Sequence, residues 1–373
     1  MKITSIMTSI LCFVVILFQL FEGNHKIAAA NENLSLYSET AILMDAETKE
    51  ILYNQEMHQK MYPASITKIV TAILAIEEGN LNDIVTVSKE AVNVIGTRVY
   101  LLEDEQVPLL KLVQGLLINS GNDAGTAIAE HMSGSEELFS RKMNRFVREV
   151  IGVEDTYFTN PHGLFDENHV TTAYDMAMIT QYAMQNETFR EIVGTKEMEW
   201  VGEGWETVIY NHNRLLWNYD GATGVKNGFV RNSGYTLVTT AKRNGMELIA
   251  VTLNAPSADH AYSDMTTLFD YGFDHYQTNV VFSNKVFESE AGERFELDED
   301  LYFLSNRDEE ISVDINSLGR LWVRGEDDRI IKTTMLHSKE NLNEEDTSEI
   351  VEEETNSSFL LQILSQIRSK LLF

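Results

Sequence analysis

Residues 235–253 read YTLVTTAKRNGMELIAVTL, and they contain two β-rich runs, 235–242 and 246–253. Apolar and β-branched side chains are frequent in both runs, which is typical of strands. The dipeptide Asn244-Gly245 between them is typical of a tight hairpin, because such a turn needs residues that tolerate a positive φ. The stretch therefore predicts two antiparallel strands of a sheet.

The preceding part of the chain supplies a second hairpin and several helices. Residues 39–53 alternate between apolar runs and a polar turn, which predicts two more strands. The helix predicted from Pro63 to about Glu78 is apolar almost all round, so it is expected in the centre of a domain. Further helices are predicted over residues 108–117, 124–131, 137–150 and 173–184. This order predicts an α+β fold in which helices pack on an antiparallel sheet.

The C-terminal part differs in composition. Short alternating runs over residues 277–338 predict a small all-β domain. Residues 339–358 are predicted to be a solvated acidic linker, because residues 340–354 contain eight acids and no base. Residues 359–373 predict an amphipathic helix that is too short to span a membrane but suited to its surface. The alternative is a helix docked on the protein's own core, which would not need a flexible tether.

The N-terminus carries the features of an export signal. Lys2 precedes an apolar run over residues 3–21, and Ala28-Ala29-Ala30 offers a small-residue cleavage site. Residues 1–30 are therefore predicted to be a signal peptide, with an uncleaved anchor as the alternative. Cys12 lies inside this run, so the exported chain would contain no disulfide and no thiolate site.

The charge and the histidines exclude several classes of function. The chain has 29 bases and 58 acids, a formal net charge of −29, which argues against a nucleic-acid partner. Its nine histidines show no metal-ligand spacing such as H-E-x-x-H. His162 lies in the turn cluster 160–163 and is expected to be structural. We therefore predict neither a metal nor a cofactor.

The first motif with chemical potential is Ser65-Ile66-Thr67-Lys68, at the start of the predicted central helix. An i,i+3 spacing places the hydroxyl and the amine on one helix face. The amine can take the serine proton if burial or a nearby cation lowers its pKa. The alternative is a lysine that extends to solvent from a helix surface.

Two further motifs follow at long intervals. Ser120-Gly121-Asn122 lies in a break between two helices, where a loop can present a hydroxyl and an amide to a cleft. The alternative is that Asn122 or Asp123 only caps the next helix. Lys226-Asn227-Gly228-Phe229 leads into the β-rich part, where a lysine on an edge strand can attract an anion and the glycine permits close approach. A solvated lysine beside a turn is the alternative there.

In this order and spacing, the three motifs resemble the active-site triplet of the penicillin-binding proteins and serine β-lactamases. The stretches 42–46, 63–65, 117–129, 160–164 and 235–253 are similar to the low-molecular-mass D-alanyl-D-alanine carboxypeptidases. The resemblance covers roughly residues 36–276. It implies a β-lactamase/transpeptidase-like domain over residues 31–276, followed by the small β-rich domain and the amphipathic helix.

The resemblance also implies roles for individual residues. Ser65 is similar to the acylated nucleophile, Lys68 to its general base, and Ser120 to the hydroxyl that relays the proton to the leaving amine. Asn122 resembles the amide that binds the substrate backbone and steadies Lys68. Lys226, followed by Asn227 and Gly228, looks like the cation that attracts the terminal carboxylate. The implied oxyanion hole consists of the backbone N–H groups of Ser65 and Phe229.

The implied reaction removes the terminal D-alanine from peptidoglycan stem peptides through an acyl-enzyme, with β-lactams as inhibitors. The protein would act at the outer face of the cell membrane, held there by the C-terminal helix. A serine β-lactamase is one alternative, although the Glu-x-x-Leu-Asn segment expected of class A enzymes after the second motif does not occur. A non-catalytic wall-binding protein, whose site has decayed at Asn227, is the other.

The third motif departs from the family pattern. The family normally has Lys-Thr-Gly or Lys-Ser-Gly, and Asn227 replaces that hydroxyl with a larger carboxamide. Val230 stands where a threonine is common, and Glu247 is expected where some members place an arginine near the carboxylate. Binding of the terminal carboxylate is therefore expected to be weakened.

Overall fold

The structure is a computed structural model that describes residues 34–339. These residues form two compact units, the first containing residues up to Asn279 together with Tyr302–Glu309, and the second containing Val280–Leu301 and residues from Glu310 onward. The predicted signal peptide, the C-terminal helix and all of the acidic linker except Lys339 lie outside the described residues. Within the described range, no helix combines the length and apolar character needed to cross a membrane.

The helices of the first unit follow a 3-10 turn over Ala64–Thr67. They are α1 (Lys68–Glu78), α2 (Lys89–Asn93), α3 (Leu109–Ile118), α4 (Asn122–Ser133), α5 (Glu136–Phe146), α6 (Ala173–Ala183), α7 (Glu187–Gly194), α8 (Leu215–Asn218) and α9 (Ala258–His275). Its strands are β1 (Thr40–Asp45), β2 (Ile51–Gln55), β3 (Ile84–Thr86), β4 (Gln106–Pro108), β5 (Glu197–Val201), β6 (Glu206–Tyr210), β7 (Ala222–Val230), β8 (Gly234–Arg243), β9 (Met246–Ala255) and β10 (Tyr276–Val281). A π-helical turn, Val147–Ile151, continues α5.

A five-stranded sheet in the order β2-β1-β9-β8-β7 is the centre of the first unit. All neighbouring strands are antiparallel. Both predicted hairpins are therefore confirmed, and they join through the pairing of β1 with β9. The strand β7, which contains Lys226, lies at an edge of the sheet, where one side of its backbone remains available to a ligand.

Alternation along the strands separates the core into two layers. Ile42 and Met44 of β1 pack in a cluster with the helix α1, whereas Ala41 and Leu43 face a second cluster that includes Phe269 of α9. Because successive side chains point to opposite faces of a strand, β1 is buried on both sides. Helices therefore cover both faces of the antiparallel sheet, which confirms the predicted fold class.

The central helix α1 is buried from Lys68 to Ala75, as its all-round apolar pattern predicts. Its first turn differs from the prediction, because Ala64–Thr67 is 3-10 rather than α-helical. The helix α9 was not predicted at all. It lies against the sheet, and a methyl group built on Gly272 would contact Leu43 and Leu248 side chains at 2.9 and 2.6 Å.

Within the described residues the C-terminal segment consists of β-strands and one 3-10 turn, Glu326–Asp328, in agreement with the predicted fold class. Its strands are β11 (Phe287–Glu288), β12 (Arg294–Glu296), β13 (Leu301–Asn306), β14 (Ser312–Ile315), β15 (Arg320–Arg324), β16 (Ile330–Met335) and β17 (His337–Ser338). They form the sheets β11-β12-β17 and β14-β15-β16, whereas β13 pairs with β10. This pairing explains why Tyr302–Glu309 belongs to the first unit.

Candidate active site

The first two motifs meet around the amino group of Lys68. Its Nζ lies 3.0 Å from Ser65 Oγ, 2.7 Å from Asn122 Oδ1 and 2.7 Å from the carbonyl oxygen of His162. Ser65 is on the 3-10 turn, Lys68 is the first residue of α1, and Asn122 is the first residue of α4. Residues that are 54 and 94 positions from Lys68 are thus its immediate neighbours.

The environment of Lys68 favours the neutral amine. Burial holds the pKa of Lys68 well below its usual range, the charge of Lys226 lowers it further, and Asp123 opposes the shift. A neutral amine has two hydrogens and one lone pair. When these two hydrogens donate to Asn122 Oδ1 and to the His162 carbonyl, the lone pair of Lys68 Nζ can accept a hydrogen bond from the Ser65 hydroxyl. This arrangement suits the removal of a proton from Ser65.

Ser120 and Asn122 are held by a strained link between α3 and α4. Ser120 is buried and has a φ of 64°, a left-handed conformation that is uncommon for a residue with a side chain. Gly121, not Asn122, holds the N-cap position of α4. The Asn122 carboxamide instead bridges Lys68 and the carbonyl oxygen of Ile95. The capping alternative is therefore wrong for Asn122.

Asp123 fixes the loop that lies over this link. Its carboxylate accepts backbone N–H groups from Val99 and Leu101, at 3.0–3.2 Å. Burial raises the pKa of Asp123, and these backbone hydrogen bonds oppose the shift. Asn122 and Asp123 together therefore connect the start of α4 to residues 95–101 on one side and to Lys68 on the other.

The third motif brings a second buried lysine to the same site. Lys226 is only 2% exposed, so the alternative of a solvated strand lysine is wrong. Burial lowers the pKa of Lys226 to about 7. Its Nζ donates to the carbonyl oxygen of Asn227 at 2.9 Å and to Asn227 Oδ1 at 3.3 Å. With Oδ1 held by Lys226, the Asn227 carboxamide has its Nδ2 to offer to an anion.

Gly228 allows the edge strand to touch the nucleophile. A methyl group built on Gly228 would lie 2.7 Å from the Ser65 nitrogen and 2.6 Å from Thr236 Oγ1, so no other residue fits. Thr236 in turn donates to the carbonyl oxygen of Pro63 at 2.8 Å. The backbone at Gly228-Phe229 is therefore clamped against Ser65, close to where an oxyanion would need two N–H donors.

The turn at residues 160–163 contributes groups that the sequence did not reveal. His162 is buried, and its carbonyl oxygen accepts the Lys68 hydrogen bond. Its ring Nε2 lies 3.2 Å from Glu136 Oε1, which also accepts from Thr126 Oγ1 at 2.5 Å. Burial lowers the pKa of His162, and Glu136 opposes this. Every residue type has a backbone carbonyl, so the sequence could predict the turn but not the hydrogen bond from Lys68 to the His162 carbonyl.

Glu247 is not at this site, contrary to expectation. It pairs with Lys242 across β8 and β9, whereas Asn227 pairs with Leu237. Five residues of strand separate these positions, or about 17 Å at the usual rise. Glu247 accepts two hydrogen bonds from Arg190, at 2.8 and 3.1 Å, and lines a separate cavity of about 380 Å³.

Within residues 34–339, no group of three or more His, Cys, Asp or Glu side chains is arranged to hold a metal ion. The helices around the sheet, the Ser65–Lys68 pair and the buried Lys226 together define a β-lactamase/transpeptidase-like protein. A model of the D-alanyl-D-alanine carboxypeptidase family matches residues 26–257. The chain belongs to this family.

Known relatives agree with this assignment. The D-alanyl-D-alanine carboxypeptidase DacF of Bacillus subtilis is 34% identical over 252 residues, which cover 66% of this chain and 64% of DacF. Penicillin-binding protein 5 of Haemophilus influenzae has a TM-score of 0.71 and 26% identity, covering 82% of this chain and 97% of that one. The Streptomyces K15 DD-transpeptidase has a TM-score of 0.61 and 29% identity over 64% of this chain and 98% of its own. The match to DacF thus spans just under two thirds of that relative.

Proposed function

We propose that this protein removes the terminal D-alanine from peptidoglycan stem peptides through an acyl-enzyme on Ser65. The observation that carries the proposal is the position of Lys68 Nζ, 3.0 Å from Ser65 Oγ and hydrogen-bonded to two acceptors. The lowered pKa of Lys68 supports its role as the base. Membership of the carboxypeptidase family supplies the substrate class.

Acylation follows from this geometry. Ser65 Oγ attacks the carbonyl carbon of the penultimate D-alanine while Lys68 takes the hydroxyl proton. The backbone N–H groups of Ser65 and Phe229 are suited to bind the developing oxyanion. As the C–N bond breaks, the proton passes from Lys68 through the Ser120 hydroxyl to the leaving amine. D-alanine departs, and an ester on Ser65 remains.

Deacylation reverses the roles with water as the nucleophile. Lys68 is neutral again once the leaving amine has taken the proton, so it can activate water for attack on the ester. The ester C–O bond breaks, Ser65 Oγ regains a proton, and the shortened peptide leaves as a carboxylic acid. A β-lactam acylates Ser65 in the same way, but its cleaved amide stays tethered and no leaving group departs. It is therefore expected to block the site.

The substrate's terminal carboxylate is assigned to Lys226 and Asn227. Lys226 lies two residues before Gly228, which abuts the Ser65 nitrogen, and its charge acts on Lys68. The gain of a carboxylate partner would favour its charged form. Asn122 is assigned to the substrate backbone. The three motifs therefore supply both the proposed catalytic residues and the proposed substrate-binding residues.

A fluorescent penicillin and a D-Ala-D-Ala peptide test this function against its rivals. We expect covalent labelling that is released slowly, together with liberation of D-alanine from the peptide. Rapid turnover of the penicillin without D-alanine release would identify a β-lactamase instead. Absence of both reactions in folded protein would identify a non-catalytic wall-binding protein.

Export and attachment to the outer face of the membrane are part of the proposal. They are supported by the apolar run at residues 3–21 and by the amphipathic pattern of residues 359–373. The same fluorescent penicillin, applied to fractionated cells, reports the location. Label that remains in the membrane fraction of the full chain, and moves to the soluble fraction when residues 359–373 are deleted, is the supporting result.

Replacing Asn227 with threonine is expected to raise both D-alanine release and acylation by benzylpenicillin. Asn227 Oδ1 accepts a hydrogen bond from Lys226, so one donor of Lys226 is used within the protein and not for the substrate. A compact hydroxyl would leave Lys226 to the substrate and donate to its carboxylate. A better hydrogen bond to a charged group contributes about 1.5–3 kcal/mol, or roughly ten- to a hundredfold in rate.

The measurement is the second-order rate constant of each reaction under identical buffer. Asn232→Thr, the same change in the exposed turn after β7, is the matched control and should alter neither constant. Rates that stay the same or fall in Asn227→Thr would mean that the pocket is built around asparagine and that carboxylate binding is not weakened.

A further inference from the structure

The cavity of about 380 Å³ beside Glu247 lies outside the candidate active site, and the proposed catalytic steps make no use of it. All the residues that line it belong to the first unit. They come from the turn between β1 and β2, from α6 and the residues that follow it, from α7, and from β8, β9, β10 and β13. The volume is in the range of small-molecule binding sites, about 300–1,000 Å³.

The cavity and the nucleophile are separated along the sheet. Thr240 is the lining residue of β8 that is nearest to the third motif. It lies four residues from Thr236, which pairs with Gly228 beside Ser65. Four residues of strand span about 14 Å. A small ligand in the cavity therefore does not occupy the space of a substrate bound at Ser65.

An ion pair forms part of the cavity wall. Arg190 Nη1 donates to both carboxylate oxygens of Glu247 at 2.8 and 3.1 Å, and its Nε and Nη2 donate to the carbonyl oxygen of Met184 at 3.1 and 2.8 Å. These contacts hold the guanidinium and the carboxylate side by side. Each group has more donor or acceptor positions than these contacts use, so the pair can still bond to a ligand.

Four other polar side chains that line the cavity have no hydrogen-bond or ion-pair partner among residues 34–339. They are those of Glu47, Gln185, Lys242 and Tyr302. The two bases of the lining, Lys242 and Arg190, are balanced by its two acids, Glu47 and Glu247. The cavity thus has no net formal charge, although it offers carboxylate, carboxamide, ammonium and phenol groups to a ligand.

This lining favours a neutral ligand with several hydroxyl groups. Balanced charges select neither a cation nor an anion, and the net charge of −29 repels polyanions. A hydroxyl group both donates and accepts, so it can bond to either member of the ion pair, and the Gln185 carboxamide can bond to an amide. The Tyr302 ring offers an apolar face to the C–H groups of a sugar. An aliphatic ligand would leave the polar groups buried and unpaired.

We propose that this cavity binds an N-acetylated sugar of the peptidoglycan glycan strand, as a second site outside the catalytic cleft. The choice of this sugar rests on the proposed function, because the stem peptides are attached to such strands. An enzyme bound to the strand encounters the attached peptides at a raised effective concentration. The second site would therefore increase activity on polymeric peptidoglycan and leave activity on a free peptide unchanged.

The first test measures binding by isothermal titration calorimetry with triacetylchitotriose, a neutral trimer of N-acetylglucosamine that carries no peptide. The full chain is titrated before and after acylation by benzylpenicillin, which fills the catalytic cleft, and we expect the same affinity in both states. The double variant Gln185→Ala, Tyr302→Ala loses a hydrogen bond and a ring contact, so its affinity should fall about tenfold.

Tyr210→Ala is the matched control, because Tyr210 is an exposed aromatic residue of β6 that does not line the cavity. It should bind the trisaccharide as the unmodified protein does. Absence of binding, loss of binding on acylation, or equal affinity in the double variant and the unmodified protein would overturn the site. Binding of acetyl-lysyl-D-Ala-D-Ala to the acylated protein in place of the trisaccharide would identify a peptide site and would also overturn it.

A second measurement compares kcat/KM for D-alanine release from polymeric peptidoglycan with that from the free acetylated peptide. The double variant should lose about tenfold on the polymer and nothing on the peptide, which also shows that it is folded. Tyr210→Ala should change neither value. An equal loss on both substrates would contradict the inference. If no substrate releases D-alanine, the proposed function is wrong, and the calorimetry alone then decides the sugar site.

Discussion

Replacing Ser65 with alanine is expected to abolish both covalent labelling by a fluorescent penicillin and release of D-alanine. In the proposed mechanism the acyl-enzyme ester forms on Ser65 Oγ, which is the hydroxyl hydrogen-bonded to Lys68 within the described residues. Loss of a serine nucleophile lowers the rate of such reactions on the order of 10⁴-fold or more. Gel fluorescence after incubation with the penicillin, and a D-alanine assay with the peptide, measure the two effects.

The fold should survive the change, because only one oxygen atom is removed. Ser65 is partly exposed, and its hydroxyl contributes one hydrogen bond to Lys68. Ser263→Ala, on the exposed side of α9, is the matched control and should keep full labelling. Labelling that persists in folded Ser65→Ala protein would place the nucleophile elsewhere and refute the mechanism.

Replacing Lys68 with alanine is expected to slow acylation by about 10²–10⁴-fold, the usual contribution of a general base. In the unmodified protein, acylation should become faster as the pH rises through the lowered pKa of Lys68, since only the neutral amine accepts a proton. The variant should lack this rise. Stopped-flow acylation by benzylpenicillin over a pH series measures both the rate and its pH profile.

A buried lysine cannot be removed without structural cost. Its loss leaves a cavity and removes the donor to Asn122 and to the His162 carbonyl. Lys68→Met keeps most of the volume and serves if the alanine variant does not fold. Lys89→Ala, an exposed lysine at the start of α2, is the control. Acylation of either Lys68 variant at a near-normal rate and with the normal pH profile would show that Lys68 is not the base.

The elements that could be predicted from the sequence are those with a local signal. The turn at Asn244-Gly245 identifies its hairpin, and the apolar pattern of α1 identifies a buried helix. The helix α9 has a weaker signal, because Gly272 suggests a helix end. In the structure that glycine instead permits close packing on Leu43 and Leu248. The packing role of Gly272 depends on residues that are remote from it in the sequence.

The candidate active site likewise has features that the sequence predicts and features that depend on tertiary structure. The three motifs and their resemblance to a known family nominated Ser65, Lys68 and Asn122, and the fold brings these residues together. The burial of Lys226 required tertiary structure, because an isolated edge strand would leave its side chain solvated. Glu247 was assigned to the wrong end of the sheet, although the two-residue turn at Asn244-Gly245 fixes Lys242 as its partner on β8.

The buried lysines also couple unfolding to the uptake of protons. Burial lowers the pKa of Lys226 to about 7 from an ordinary value of 10.5, which it would regain in the unfolded chain. Between these two values the unfolded state binds more protons than the folded state. The contribution of Lys226 to the free energy of unfolding therefore rises with pH across this window, and at neutral pH it opposes folding. Lys68 acts in the same direction. The burial that lowers the pKa values of these two amines thus also lowers the free energy of unfolding of the protein.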